Sequence, residues 1–313
     1  MSIHGQNAVS CRTLLSSYQR SQQPTDSERL AFLGVGPKDV YNITAPFEDE
    51  GVQVIAGRVE ARTEEKSEVV FFVRCGTAWS PRKNTRTYRL QDPFVTRIRG
   101  LLVFGGVEVY ADDAGRITSW RTRFFKGRNI AELTEFSCGP LNMKDIRLTE
   151  LPNGRIGVFT RPHGLPDARA RIGYTEVDEL EQLNESVIAD AELFRDQFLR
   201  DEWGGVNEVH VLPNGLLGVL GHIAYRDDAG VHYHAMTFLF DPVTRNKSAI
   251  RILADRRVFG EGPAKRPDLA DVIFSGGLIR VGDGSAWLYA GISDAQAGRV
   301  QVPDPFLDCE TIR

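Results

Sequence analysis

No stretch of this 313-residue chain is apolar enough to cross a bilayer. The longest apolar run, residues 101–104 leading into GGVEVY, falls far short of the about 20 residues a transmembrane helix needs. The first residues, MSIHGQNAVSCRTLLSSYQR, contain no apolar core segment, so no secretory signal is read there. Cysteine is scarce: Cys11, Cys75, Cys138 and Cys309 stand alone, and no two are spaced as a CxxC pair. Reduced thiols in a cytoplasmic protein are therefore expected. An excess of positive charge is also missing. The chain has 38 Lys and Arg against 42 Asp and Glu, which argues against a nucleic-acid partner.

The usual signatures of phosphate loops and hydrolytic centres are missing as well. There is no GxxxxGK[ST] or GxGxxG loop after a strand, no GxSxG elbow and no HExxH. No metal site and no cofactor is read. His232 and His234 in VHYHAM sit at strand spacing on one face, but no third ligand accompanies them, and a polar face of an outer strand is the plainer reading. Helical signals are few. Residues 176–198 read in part as a short helix or loop insertion between repeats, and residues 1 to about 30 as an irregular segment or one that closes the fold.

What the chain does have is repetition. ELPNGRIGVFTR from Glu150 and VLPNGLLGVLGH from Val211 match each other, each an Asn-Gly turn followed by an apolar strand. An Asn-Gly hairpin turn is expected to place both residues at positive φ. RVGDGSAWLYAG from Arg280 is a third copy; RIRGLLVFGGVEVY from Arg97 and EDEGVQVIAGRVEAR from Glu48 are looser ones. A turn-plus-strand unit recurring about every 50 to 65 residues fits a blade of four strands. The expected fold is all-β, a five-bladed β-propeller with a central axial pocket, formed by residues 1–313 as one domain.

Before each turn lies another strand with polar residues near its start. These strands are YNITAPF (Asn42), QDPFVTRI (Asp92), MKDIRLTEL (Lys144, Asp145), VNEVHVL (Asn207, Glu208) and ADVIFSGGL (Asp271). One polar residue opening an apolar strand ordinarily faces solvent or a turn. Five in phase are expected to converge, because the innermost strand of each blade lines the central channel. Asp92 is the lone carboxylate flanked by proline and apolar residues, a setting suited to proton transfer. Arg58, Arg62, Arg161 and His222, at the ends of the second strands, would supply an anion cradle.

The segments DVYNITAPF, AGRVEARTEEKSEVVFF, QDPFVTRI, CGPLNMKDIRLTELPNGRIGVFTRP and GHIAY resemble a family of five-bladed propellers first labelled only as a domain of unknown function. Its trypanosomatid members are mannosyltransferase/phosphorylases of β-1,2-mannan, and it is distantly similar to β-mannoside phosphorylases. The resemblance spans roughly residues 30–305. It implies that Asp92 is the general acid, matching the aspartate of an EDPR motif, and that Asn42 binds the mannose whose bond is cleaved. It implies phosphate contacts from Arg58 or Arg62, from His222, and from Tyr233, which lies eight residues before Asp241. Lys144 and Asp145 match an Arg-Asn pair touching phosphate and sugar. QDPF lacks the arginine of EDPR, and GGVNEVH carries Asn207 and Glu208 where the phosphorylases have prolines. These departures suit a pocket that also takes a nucleotide-sugar donor.

The expected activity is inverting mannosyl transfer between a mannose oligosaccharide and mannose-1-phosphate or GDP-mannose. Asp92 is its acid/base, with Asn42, Asp145, Asn207, Glu208 and Asp271 around the sugar. Arg58, Arg62, Lys144, Arg161, His222 and Tyr233 are expected around the phosphate. A hydrolase on the same scaffold would need a second carboxylate to activate water, from Glu208 or Asp271. A propeller that only binds carbohydrate is the third reading.

Overall fold

The computed structural model describes residues 7–21, 26–163 and 170–311. Among them the chain is all-β. The first sheet contains Asp39–Tyr41, Phe47–Asp49, Val52–Glu60, Glu68–Cys75 and Ala78–Pro81; the second contains Gln91–Ile98, Leu101–Ala111, Ile117–Gly127 and Thr134–Cys138. Arg147–Glu150, Ile156–Thr160, Gly173–Val177 and Glu192–Leu193 form the third. The largest sheet holds two antiparallel runs. One is Trp203–Val211, Leu217–Asp227, Gly230–Phe240 and Arg251–Ala254; the other is Asp271–Arg280, Ser285–Ile292, Gln296–Pro303 and Ser27–Arg29. A short parallel pairing, His232 with Asp271 and Tyr233 with Val272, joins the two runs.

The apolar core lies between successive units. Val54 and Phe71 of the first sheet pack with Leu102, Phe104 and Phe125 of the second. Phe94, Val103 and Phe124 continue to Ile146 and Val158, and Phe159 and Tyr174 to Val219, Phe238 and Phe240. Leu220 and Leu239 then meet Ile273, Leu288 and Val300. Tyr289 and Ala297 of the last run return to Val40, Ile55 and Phe72 of the first sheet. Each unit thus buries its apolar faces against both neighbours, and the arrangement closes on itself. Ser27–Arg29 reinforces the closure by pairing with Gln296–Pro303.

Four of the five turns recognised in the sequence link the first and second strands of a run; Glu50-Gly51 links Phe47–Asp49 to Val52–Glu60, the second and third strands of the first sheet. Glu50-Gly51 and Arg99-Gly100 have positive φ at both positions, as a tight two-residue hairpin requires. The two LPNG turns differ from expectation. Only Gly154 and Gly215 are left-handed; Gly154 N donates to Leu151 O and Leu151 N to Arg155 O, with the same pattern at 212–216. Proline fixes φ near −65° and therefore selects an ordinary turn followed by a glycine bulge.

Two other expectations are revised. Residues 11–21 form a helix, Cys11–Ser21, rather than an irregular segment. Its first amide, Cys11 N, donates to Glu202 Oε1 at 2.7 Å, a carboxylate placed where the helix dipole favours one. Within 176–198, the helical pieces Leu180–Gln182 and Glu185–Ala189 lie between two paired strands of the third sheet, not between repeats.

His232 sits half-buried beside that helix. Its Nδ1 is 2.6 Å from Asp271 Oδ2 and its Nε2 is 2.9 Å from Asp227 Oδ1. Tyr225 stacks on it at 4.4 Å, Arg12 pairs with Asp227, and His234 lies on the same strand face. Burial opposes its charge, but the bonds to both aspartates outweigh that and raise its pKa. A raised value gives stability that is present below the ordinary histidine range and lost as pH rises through the folded value. The urea midpoint of the wild type is expected to fall between about pH 6 and 8 more than that of His232→Gln. Parallel curves for the two proteins would contradict this.

Candidate active site

Asn42 is hydrogen-bonded to Asp92, and His222 links Asp145 to Asn207; unusual backbone sets three of these side chains. Asn42, Asp92 and Asp145 have φ of 44°, 48° and 56°. Asparagine and aspartate adopt this left-handed conformation at the least cost among residues with a Cβ. At Asp92 the pairing slips between Gln91 and Phe94, at Asn207 between Val206 and Glu208, and in the last run between Ser275 and Gly277. These bulges turn polar groups toward the axis.

Asp271 is not the fifth member of this ring. It opens its strand five residues too early and binds His232 near the helix. The equivalent position is Gly276, where an added Cβ would lie 1.7 Å from the Ile43 carbonyl oxygen. Gly276→Ala is expected to destabilise the protein by about 3 kcal/mol or more, because backbone of the neighbouring unit must move. A thermal midpoint within a degree of wild type would refute that close approach.

These side chains form two buried groups. In the first, Asn42 Nδ2 donates to Asp92 Oδ1 at 2.7 Å and Arg58 Nη1 to the same oxygen at 3.2 Å. Asp92 is 5% exposed, and among the described residues no hydrogen bond occupies its Oδ2. Asp294 joins this group electrostatically. Burial raises its pKa and Asp92 adds to that, against Arg58, Lys265 and Lys144. It sits in a turn, Ser293-Asp294, with both residues at positive φ. Ser293 straps the turn down: its N donates to Val272 O, its Oγ to Ala270 O, and its Oγ accepts from Arg256 Nε. Strain maintained in this way is a common mark of a functional site.

In the second group, Arg161 Nη1 is 3.0 Å from Asp145 Oδ2 and His222 Nδ1 is 2.9 Å from Asn207 Oδ1. Arg147 donates to the carbonyl of Asn207 and covers Phe94. Burial would push Asp145 up, but Arg161, His222, Lys144 and Arg147 lower it to about 2. Burial pushes His222 down to about 3, so its ring is neutral at ordinary pH. Asn42 Oδ1, Asp145 Oδ1, Asn207 Nδ2 and His222 Nε2 are buried without a hydrogen-bond partner among the described residues. So many unsatisfied polar atoms in one place are a recognition surface for a polar ligand.

Beside this group opens a cleft lined by Gln91, Trp120, Lys144, Arg161, Trp203 and Tyr233, with an apolar edge from Val107, Val109 and Ile117. Tyr233 stacks on His222 at 5.3 Å and its hydroxyl accepts from Trp203 Nε1. Three expected ligands of the anion, Lys144, Arg161 and Tyr233, therefore share a wall, with His222 beneath it. Arg58 lies with Asp92 instead. Arg62 is away from both, paired with Asp39 at 2.7 Å and half exposed. Glu208 is also committed elsewhere: it accepts from Leu278 N at 2.6 Å and contacts His210. Sequence reasoning passed over Asp294, Arg147, Gln91 and the two tryptophans. Serine-aspartate in a turn looks routine, and only the positive φ at both positions marks it out.

The structure is thus a closed all-β arrangement that holds a buried carboxylate between an asparagine and an arginine. The chain belongs to the family described as "Protein of unknown function (DUF1861)", whose pattern matches residues 16–308. It is 33% identical to MPT-4, a mannose phosphorylase from Leishmania mexicana solved with a phosphate ion, at TM-score 0.89 over 96% of this chain and 95% of that one. It is 34% identical to MPT-1, a GDP-Man-dependent mannosyltransferase from the same organism, at TM-score 0.89 over 97% of each chain. A β-1,2-mannobiose phosphorylase from Listeria innocua shares the fold at 12% identity and TM-score 0.62, over 91% of this chain and 92% of that one. No curated protein sequence matches the chain. No helix among the described residues is long and apolar enough to cross a membrane.

Proposed function

We propose that this chain is a mannosyl-transferring enzyme of the phosphorylase/transferase type, built as one five-bladed β-propeller domain. Five successive runs of strands, closed by apolar packing of the last on the first, support five blades. The observation that carries the function is the pairing of the Asn42–Asp92–Arg58 group with the cationic wall of Lys144 and Arg161. Acid/base chemistry and anion binding need these two things side by side. The resemblance to MPT-4 and MPT-1 favours mannose over other sugars.

In the synthetic direction Asp92 Oδ2 takes a proton from an acceptor mannose hydroxyl, whose oxygen attacks C1 of mannose-1-phosphate or GDP-mannose. The C1–O bond to the phosphate breaks with inversion, and the leaving group, phosphate or the β-phosphate end of GDP, is received by Lys144, Arg161, His222 and Tyr233. Asn42, Asp145, Asn207 and Asp294 hold the sugar hydroxyls. In reverse, phosphate attacks C1 and Asp92 protonates the departing sugar. The scarcity of cysteine fits a cytoplasmic protein. The two carboxylates singled out in the sequence for a hydrolase, Glu208 and Asp271, are engaged elsewhere. The test is chain growth from mannobiose with mannose-1-phosphate or GDP-mannose, and its reversal by phosphate. Mannobiose cleavage that proceeds equally well without phosphate would instead indicate a hydrolase.

A further inference from the structure

The first sheet contains a buried acidic hub that the transfer reaction does not touch. Glu60 follows Arg58 by two positions on the strand Val52–Glu60, so both side chains leave the same face. Glu60 is 1% exposed. Four side chains donate to it. Tyr41 Oη reaches Oε1 at 2.8 Å, and Arg58 reaches Oε2 through Nη2 at 2.8 Å and Nε at 3.3 Å. Ser67 Oγ and Lys265 Nζ complete the set. The outer edge of the Arg58 guanidinium is thus pinned, while Nη1 points the other way, to Asp92. The ring of Tyr41 lies against its face at 4.8 Å. Burial opposes the Glu60 charge, but Arg58, Lys265 and Ser67 hold its carboxyl below the usual range.

Lys265 comes from the connection that precedes the last run of strands, and it also reaches Glu65 at 2.9 Å. Glu60 therefore binds across the seam where the end of the chain meets its beginning. Without the carboxylate, the outer edge of this five-donor group would keep only the Ser67 hydroxyl, at 2.9 Å from Nε, and the more distant Glu65, at 3.7 Å from Nη2.

We propose that Glu60 is a positioning residue. It holds Arg58 in the orientation that serves Asp92, and through Lys265 it makes that orientation depend on the segment 260–270. The kinetic consequence rests on Asp92 being the acid/base; the orientation of Arg58 does not.

The experiment has a structural and a kinetic arm. In crystals of Glu60→Gln, the contact between Arg58 Nη1 and Asp92 Oδ1 is expected to open beyond about 4 Å. For transfer from mannose-1-phosphate to mannobiose, kcat should fall about 30-fold in Glu60→Gln and about threefold in Tyr41→Phe, with donor KM changed less than about twofold. Tyr41→Phe keeps the ring and the charge, so it covers the case in which Glu60→Gln fails to fold. The double variant Glu60→Gln/Arg58→Lys should be no slower than Arg58→Lys alone, because both act through one guanidinium. An unchanged Arg58–Asp92 contact, or losses that multiply in the double variant, would overturn the proposal. A wild-type protein that transfers no mannose from either donor would defeat the proposed function only, and the crystallographic arm would still decide the role of Glu60.

Discussion

Asp92→Asn is expected to lower kcat for mannosyl transfer by about 10³-fold while leaving the fold intact. Asparagine has the same shape and tolerates the left-handed backbone at φ 48°. Its amide oxygen can still accept from Asn42 and Arg58, as Oδ1 of Asp92 does now. Arg58 keeps a buried counter-charge in Glu60 at 2.8 Å. What disappears is the oxygen that takes or gives the proton. The measurement is initial rate of chain growth from mannose-1-phosphate and mannobiose, beside a thermal midpoint to show that the variant is folded. A folded Asp92→Asn protein working within about tenfold of wild type would remove Asp92 from the chemistry.

The second large effect is on both stability and anion binding. Arg161 is 2% exposed, and it is the first of the cations that hold the equally buried Asp145 charged. Arg161→Met leaves a buried carboxylate without its partner and is expected to cost about 3–5 kcal/mol in urea denaturation at neutral pH. The sign with pH follows from the depressed pKa. Stability from the pair is present above the unfolded carboxylate value, about 3.9, and is lost as pH falls toward about 2. Without Arg161 that loss should begin at higher pH. Asp145→Asn added to Arg161→Met should recover part of the stability, because the uncompensated charge is gone. It should not recover phosphate binding, for which KM is expected to stay raised about tenfold or more. Recovery of both together would mean that Arg161 serves only as a counter-ion.

Much of the architecture was readable because it rests on local rules. Turn residues recur wherever a first strand must reverse into a second, and Asn42, Asp92 and Asp145 keep a spacing of 50 and 53 residues. Those three could be found because their side chains tolerate the backbone that an axial position imposes. The fifth position could not. Gly276 has no polar signature, being selected by the nearness of the Ile43 carbonyl, a contact between the two ends of the chain. Asp271 was mistaken for it because it is the polar residue that opens the fifth of these strands, five residues ahead of Gly276. Arg58 and Arg62 were equivalent in sequence; partners remote along the chain separate them, Asp92 for one and Asp39 for the other.

The sequence by itself determined the all-β class, the positions of the turns and which aspartate opens the second inner strand, since strand alternation and turn chemistry act over a few residues. The tertiary structure alone decided which cations share a wall with Asp145, that Asp294 joins Asp92, and that Glu60 meets Lys265. Those contacts join residues separated by tens to hundreds of positions. Whether a buried charge has a partner depends on distance in space, which closure of the ring sets and no local pattern encodes.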